Sequence, residues 1–285
     1  MTKELVLVSG ATGQQGGAIA RELLGAGWPV RAMTRKPQSD AARALAALGA
    51  EIVTADLDDD ASLHRVLDGA WGAVGVQNTW EAGVEREENQ GKRFARAVKD
   101  TGVQHYLYQS VGSAHRKTGV PHFENKWRIE QTLRELQIPS WVIIRPVFFM
   151  ENLLGPGFKP FIDQGTLAFG MRPETKLQSI AVRDIGKYGL AAFERHSELK
   201  GRELDIAGDT LSGQEMAAIL SEVTGRTINS YQVPLEQIRA QSEDLALMFE
   251  WFEAVGYDAD IERNAKEFGI RPTRFREWAK EQHWG

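Results

Sequence analysis

Leu5-Val6-Leu7-Val8-Ser9-Gly10-Ala11-Thr12-Gly13-Gln14-Gln15-Gly16-Gly17 opens the chain. Four aliphatic residues in a row, with no polar alternation, suit a strand covered on both faces, as in a parallel sheet flanked by helices. Glycines 10, 13 and 16 follow that strand directly and lead into a helical pattern over Ala18 to Gly25. Such a loop turns tightly, lets backbone approach a pyrophosphate without a Cβ in the way, and aims free N–H groups at negative charge. Spacing alone is a weak signal, and a glycine-rich turn without a ligand is the competing reading. The strand before and the helix after favour a phosphate seat on Gly10, Ala11, Thr12, Gly13, Gln14 and Gln15. A P-loop is excluded, because neither Gly91-Lys92-Arg93 nor Gly186-Lys187-Tyr188 carries the Ser or Thr that it requires.

Outward from this loop, short β-rich runs alternate with helical patterns. Strands are predicted at Val30 to Thr34, Ile52 to Thr54, Ala73 to Val76, His105 to Gln109 and Trp141 to Ile144. Helices are predicted at Ala41 to Leu48, Ala61 to Leu67, Val84 to Thr101 and around Phe123 to Leu136. This alternation predicts an α/β Rossmann fold, a doubly wound parallel sheet. After Arg145-Pro146 the pattern breaks at Gly155-Pro156-Gly157. Residues 1–155 are therefore expected to form the nucleotide-binding domain, with 182–207 returning to it through a helix near Asp184 and a strand at Glu203 to Ala207. Residues 156–181 and 208–285 are expected to form a smaller, discontinuous α/β lobe for a substrate or partner.

The end of the second strand selects the dinucleotide. An acidic residue there would bond the ribose 2′-OH of NAD. This chain has Thr34-Arg35-Lys36 instead. Arg35 can clamp a 2′-phosphate with two charge-assisted bonds and Lys36 adds a second positive charge, so NADP(H) is the expected cofactor. The alternative is that Arg35 is a solvated surface charge.

Composition narrows the class. With 42% hydrophobic and 26% charged residues over 285 positions, the chain resembles an ordinary globular enzyme. A net charge of −5 without a basic run offers no footprint for nucleic acid. The absence of cysteine excludes disulfides and thiolate chemistry, and fits a cytoplasmic address. The N-terminal apolar run is too short for a membrane span. The six histidines, at 64, 105, 115, 122, 196 and 283, form no metal-ligand pattern, and no Gly-x-Ser-x-Gly elbow exists.

The loop at 10–17, together with Val-Arg-Ala-Met-Thr-Arg at 30–35, resembles the NmrA-like family of atypical short-chain dehydrogenases/reductases. The likeness continues through Asn78-Thr79-Trp80-Glu81, Gln90-Gly91-Lys92, His122-Phe123-Glu124-Asn125-Lys126, Phe149-Met150-Glu151-Asn152-Leu153-Leu154 and Asp244-Leu245-Ala246-Leu247-Met248-Phe249, and is nearest to the family's redox-sensor type. It implies that Gly10 to Gln15 hold the pyrophosphate and that Arg35 and Lys36 hold the 2′-phosphate. It further implies that Asp56 and Leu57 meet the adenine, and that Gln77, Asn78 and Thr79 pass along the cofactor. Lys126 would reach a ribose hydroxyl, and Phe149, Met150, Glu151 and Asn152 would line the nicotinamide end.

Typical short-chain dehydrogenases use a Tyr four residues before a Lys as proton donor. None of the five tyrosines here stands four before a Lys. His122 occupies that place relative to Lys126, and Ser110 sits where the family's active-site Ser would be. A histidine can donate a proton near neutral pH, so Ser110, His122 and Lys126 could support hydride transfer to a carbonyl or conjugated acceptor. The plainer reading makes His122 a helix-start residue after Pro121 and leaves Lys126 as a cofactor contact.

Two functions stay open: an NADPH-dependent reductase of a small apolar or aromatic carbonyl-type substrate, suggested by Phe148, Phe149 and Phe158, or a catalytically weak NADPH/NADP sensor that regulates a protein partner. A homodimer is left open as well. Leu245, Met248, Phe249 and Phe252, with Trp251 adjacent, form a helical stripe read as core rather than substrate wall. Trp278 and Trp284 are read as anchors of the last helix. Asp58-Asp59-Asp60 is read as a helix-start acidic cluster and nothing more.

Overall fold

The computed structural model describes residues 3–284. Strand β1 (Val6–Val8) runs into helix α1 (Gln14–Gly25), followed by β2 (Val30–Thr34), α2 (Asp40–Ala47), β3 (Glu51–Thr54), α3 (Asp60–Leu67) and β4 (Gly72–Gly75). A one-turn helix α4 (Thr79–Ala82) precedes α5 (Val84–Asp100), β5 (His105–Gln109), α6 (Pro121–Glu135) and β6 (Ser140–Pro146). The chain continues through β7 (Phe148–Phe149), α7 (Lys159–Asp163), β8 (Thr166–Phe169), β9 (Lys176–Ile180), α8 (Val182–Glu194), α9 (His196–Leu199) and β10 (Arg202–Ile206). Last come β11 (Asp209–Ser212), α10 (Gly213–Thr224), β12 (Asn229–Gln232), α11 (Leu235–Arg239), α12 (Glu243–Ala254), α13 (Ile261–Phe268) and α14 (Phe275–Glu281).

Seven strands form one parallel sheet in the order β10-β6-β5-β4-β1-β2-β3, the Rossmann-like architecture expected. The unbroken apolar run of β1 has its cause in burial on both faces. Val6 and Val8 join the core beneath α1 and α8, whereas Leu7 joins the core beneath α3, α5 and α6. The strand order reverses beside β1, so the carboxyl ends of β1 and β4 border the crevice where such sheets bind ligands. Ser9 pins those two ends together. Its Oγ accepts from Val76 N–H at 2.8 Å, and its own N–H donates to Val74 O at 3.0 Å.

Helix α1 begins at Gln14, earlier than the Ala18 start expected from the pattern. Gly16 and Gly17, which precede the expected start, lie in the first helical turn. A Cβ at Gly16 would stand 2.4 Å from Gly10 O and 2.7 Å from Ser9 O, so only glycine lets the helix pack this close to the turn. Helix α6 likewise starts at Pro121, whose fixed φ suits the first helical position.

Beyond β6 the chain builds smaller sheets, β11-β9-β7 and β12-β8, packed with α10, α11, α12 and α14 around a second core. Strand β10 pairs with β6, extending the main sheet. Helix α13 also lies on the main domain. Phe268 meets Tyr188 edge-on at 5.3 Å, and Asn264 donates to Asp205 O at 2.8 Å. Trp278 is 2% exposed in the lobe's core, with Trp284 packed edge-on at 5.8 Å.

Candidate active site

A single cleft of about 1910 Å³ runs from the glycine loop, across the carboxyl ends of β1, β2 and β4, into the space between the main sheet and the smaller lobe. At one end the loop residues Gly10, Thr12, Gly13, Gln14 and Gln15 line the wall. Gly10 holds a positive φ of 59° and its carbonyl accepts from Gly13 N–H at 2.9 Å, which forms the tight turn. The N-terminus of α1 carries no side-chain cap and no acidic residue in its first turn, so its N–H groups face the cleft uncompensated.

Arg35, Lys36, Asp56 and Leu57 line the next section. Arg35 is half-exposed and paired with Glu81 of α4. Asp59 caps α3 by accepting from Ser62 N–H, but Asp58 does something the acidic cluster did not suggest. It accepts from Arg86, Gln90 and Arg93 of α5, which ties the Asp56–Leu57 loop to the helix behind it. Burial works against ionisation there, and the bonds from Arg86 and Gln90 outweigh it, leaving the Asp58 carboxyl below its usual range.

Gln77, Asn78 and Thr79 follow along the cleft. Both side-chain polar atoms of Gln77 and Oε1 of Gln15 are buried without a hydrogen-bond partner among the described residues. Buried polar atoms without partners are costly, so these two amides are groups a ligand would satisfy. Together with the glycine cradle and Arg35, they fit a dinucleotide with a 2′-phosphate.

Lys126 and His122 stand one turn apart on α6, both facing the cleft. Lys126 Nζ lies 2.7 Å from Glu87 Oε1 and donates to Gln77 O at 3.2 Å. Glu87 was missed from the sequence. Burial raises its carboxyl, but the charge of Lys126 and bonds from Lys126, Thr79 and Asn125 prevail and hold it below the ordinary glutamate range. A signal existed, since Glu87, Gly91, Phe94 and Val98 share the buried face of α5, a position where a carboxylate needs a partner.

Ser110 borders the cleft, but its hydroxyl donates to Glu130 at 2.6 Å rather than to His122 or Lys126. Glu130 is itself bound through both oxygens by buried Arg145. Phe149, Glu151 and Asn152 line the cleft, while Met150 turns into the lobe's core and Ala11 is buried outside the lining. Glu151 accepts from Val182 N–H at 3.0 Å and from the Trp278 indole at 3.2 Å, so its carboxylate braces the lobe. Burial pushes that carboxyl above its usual range despite both bonds.

The far end of the cleft is aromatic. Phe148 to Phe158, Phe158 to Phe169, Phe169 to Phe249, Phe249 to Phe252, Phe252 to Tyr257 and Tyr257 to Phe123 have ring centroids 5.0–6.4 Å apart. All seven rings line the cleft. The α12 stripe read as core is therefore core and wall together: Leu245, Met248, Phe249 and Phe252 present one edge to the lobe's interior and another to the cleft.

The model of the NmrA-like family matches residues 2–279. The chain belongs to the NmrA-like family. An NmrA-like oxidoreductase of Cladobotryum sp., FrzB, is 30% identical, covering 88% of this chain and 84% of the relative. A Streptomyces griseus (4-alkanoyl-5-oxo-2,5-dihydrofuran-3-yl)methyl phosphate reductase is 27% identical over 97% of each. Among solved structures, an Escherichia coli quinone oxidoreductase in complex with NADPH superposes with a TM-score of 0.82 at 22% identity, covering 96% of this chain and 98% of that one. NmrA itself, a negative transcriptional regulator in complex with NADP, gives 0.81 at 20%, covering 99% and 95%. At those identities the structures show the shared fold. In this NmrA-like chain no helix among the described residues is long and apolar enough to cross a membrane.

Proposed function

We propose that the protein is an NADPH-dependent reductase of an uncharged aromatic or otherwise apolar carbonyl-type substrate. The observation that carries this reading is continuity: one cleft joins the glycine cradle and Arg35, through Lys126 and His122, to the aromatic chamber. NADPH, when bound, supplies a hydride. The chain supplies the phosphate seat, a ribose anchor in Lys126, a proton donor in His122 and a wall that excludes water. The solved relatives with NADP or NADPH in the same fold support the cofactor assignment.

The charge distribution supports the substrate class. Among the described lining residues the lysines and arginines are Arg35, Lys36, Arg86 and Lys126. The chamber wall beyond Lys126 carries no Lys or Arg among the described residues, and its polar groups are His122, the engaged Glu151 carboxyl and neutral side chains such as Gln237, Gln241 and Asn229. A phosphorylated substrate, as named for the Streptomyces relative, would find no Lys or Arg to pair with there. The seven rings instead favour a flat, apolar molecule.

Incubating the purified protein with NADPH and a panel of aldehydes, quinones, imines and conjugated carbonyls, while following cofactor absorbance, tests the reading. Oxidation of NADPH that depends on an apolar aromatic acceptor is expected. The engagement of Ser110 by Glu130, and the lack of a tyrosine at position 122, favour the sensor as second reading. No turnover, with a cofactor-dependent change in oligomeric state or protease sensitivity, would establish the sensor instead.

A further inference from the structure

His122 is gripped twice by a residue from the other side of the cleft. Its ring Nδ1 pairs with Asp244 Oδ1, and its backbone N–H donates to Asp244 Oδ2 at 3.1 Å. The two side chains are 11% and 16% exposed. Asp244 sits in the first turn of α12, the helix that also supplies Leu245, Met248, Phe249 and Phe252 to the chamber. It is not the cap of its own helix, because Ser242 Oγ accepts from Leu245 N–H and fills that role. Both carboxylate oxygens of Asp244 are thus turned to His122. The ring is held in place by Trp80 at 5.1 Å and by the edge of Phe123 at 4.7 Å. Nε2 has no hydrogen-bond partner among the described residues, and His122 lines the cleft.

We propose that Asp244 is a positioning residue that fixes the tautomer and direction of His122, so that Nε2 presents the proton the reduction requires. A carboxylate facing Nδ1 keeps a hydrogen on that nitrogen in both charge states, leaving Nε2 as the nitrogen that gains and loses its proton. The same division of labour holds wherever a carboxylate orients a catalytic imidazole. The inference rests on the reductase reading. In that reaction the carbonyl carbon receives the hydride supplied by NADPH, and the C=O π pair moves to oxygen. The oxygen takes the proton from His122 Nε2. The products are the alcohol, NADP+ and neutral His122, which regains a proton from water at the cleft mouth. Because Asp244 belongs to the smaller lobe and His122 to the main domain, the proton donor is complete only when the two are docked.

Nitrogen-15 NMR of the intact chain, labelled in histidine and recorded at alkaline pH, reads the tautomer directly, with His122→Ala identifying the signal. The wild type is expected to hold hydrogen on Nδ1. Asp244→Leu is expected to lose that preference and Asp244→Glu to keep it. An Nε2–H tautomer in the wild type, or a signal unmoved in Asp244→Leu, would overturn the proposal whether or not any substrate has been found. With a turned-over acceptor, Asp244→Asn is expected to lower kcat about a hundredfold with KM within a few-fold, and to add little further loss on top of His122→Ala. A brace alone would instead lower the unfolding midpoint and leave kcat unchanged in the remaining folded protein. Absence of NADPH turnover in the wild type would count against the reductase reading and leave the tautomer result to decide the role of Asp244.

Discussion

Lys126 Nζ stands 2.7 Å from Glu87 Oε1, and the Glu87 side chain is wholly shielded from solvent. An ammonium lining the cleft is thereby neutralised by a carboxylate on the neighbouring helix. Removing one partner of a buried pair strands the other charge, at a cost of about 3–5 kcal/mol. Glu87→Ala is expected to lower unfolding stability by roughly that amount in urea titrations, and Glu87→Gln by less, since its amide oxygen can still accept from Asn125. The pH dependence has a definite sign. A carboxyl held below its usual value of 4.5 contributes stability that is present above that value and lost as pH falls through the folded one. The stability gap between wild type and Glu87→Gln should therefore narrow on acidification from pH 7 through this range. A gap that stays constant would remove the ion pair from the account.

The same pair shows where sequence reading reaches its limit. The sheet was legible because strands such as Leu5 to Val8 and His105 to Gln109 carry their burial in composition, and the glycine loop because its backbone demands are local. Lys126 was legible through resemblance. Glu87 and Asp244 were not given roles, because each acts across a helix–helix contact 39 or 122 residues away in sequence; the face of α5 marks Glu87 as needing a partner, but no local pattern names that partner. Ser110 shows the converse: its position at the end of β5 was read correctly, but the direction of its hydroxyl depends on Glu130 and Arg145.

Arg35 is paired with Glu81 across the cleft. A 2′-phosphate on Arg35 must displace or share that partner. Arg35→Gln should weaken NADPH binding by about ten- to a hundredfold while changing NADH binding little, as one or two charge-assisted bonds are lost. Glu81→Gln should act in the opposite direction and modestly. Both side chains of the pair are about half exposed, and such pairs are worth roughly 0–1 kcal/mol, so a gain of up to about fivefold is expected. Calorimetric titration with both cofactors measures each. Equal losses for NADPH and NADH in Arg35→Gln would show that Arg35 does not read the 2′ position.

Two glycines of the loop should respond differently to the same methyl group. At Gly16 an added Cβ meets backbone oxygens at 2.4 and 2.7 Å, whereas at Gly13 its nearest neighbour is Gly10 O at 3.3 Å. Backbone cannot rotate away, so Gly16→Ala is expected to destabilise the fold by about 1–3 kcal/mol and to abolish tight cofactor binding. Gly13→Ala should fold with near-native stability and weaken binding by partly covering the phosphate seat. Thermal unfolding with and without NADPH separates the two effects. Comparable melting temperatures for both apo variants would contradict the close approach of α1 to the turn.

The α12 stripe serves core and wall at once, and its members should divide accordingly. Phe252 is 2% exposed and packs against Phe249, Trp251 and Tyr257. Phe252→Ala removes a buried ring and is expected to cost about 3–5 kcal/mol in unfolding free energy. Leu245 is only half-buried, one turn before Phe249, and faces the cleft. Leu245→Ala should therefore cost no more than about 1–2 kcal/mol, because a partly exposed side chain loses little burial. Its effect belongs to the ligand: KM for an aromatic acceptor should rise several-fold with kcat nearly unchanged, as expected when uniform binding is removed. If Leu245→Ala instead lowers stability as much as Phe252→Ala and leaves KM untouched, the stripe is core throughout and the chamber wall must be sought among Phe148, Phe158 and Phe169.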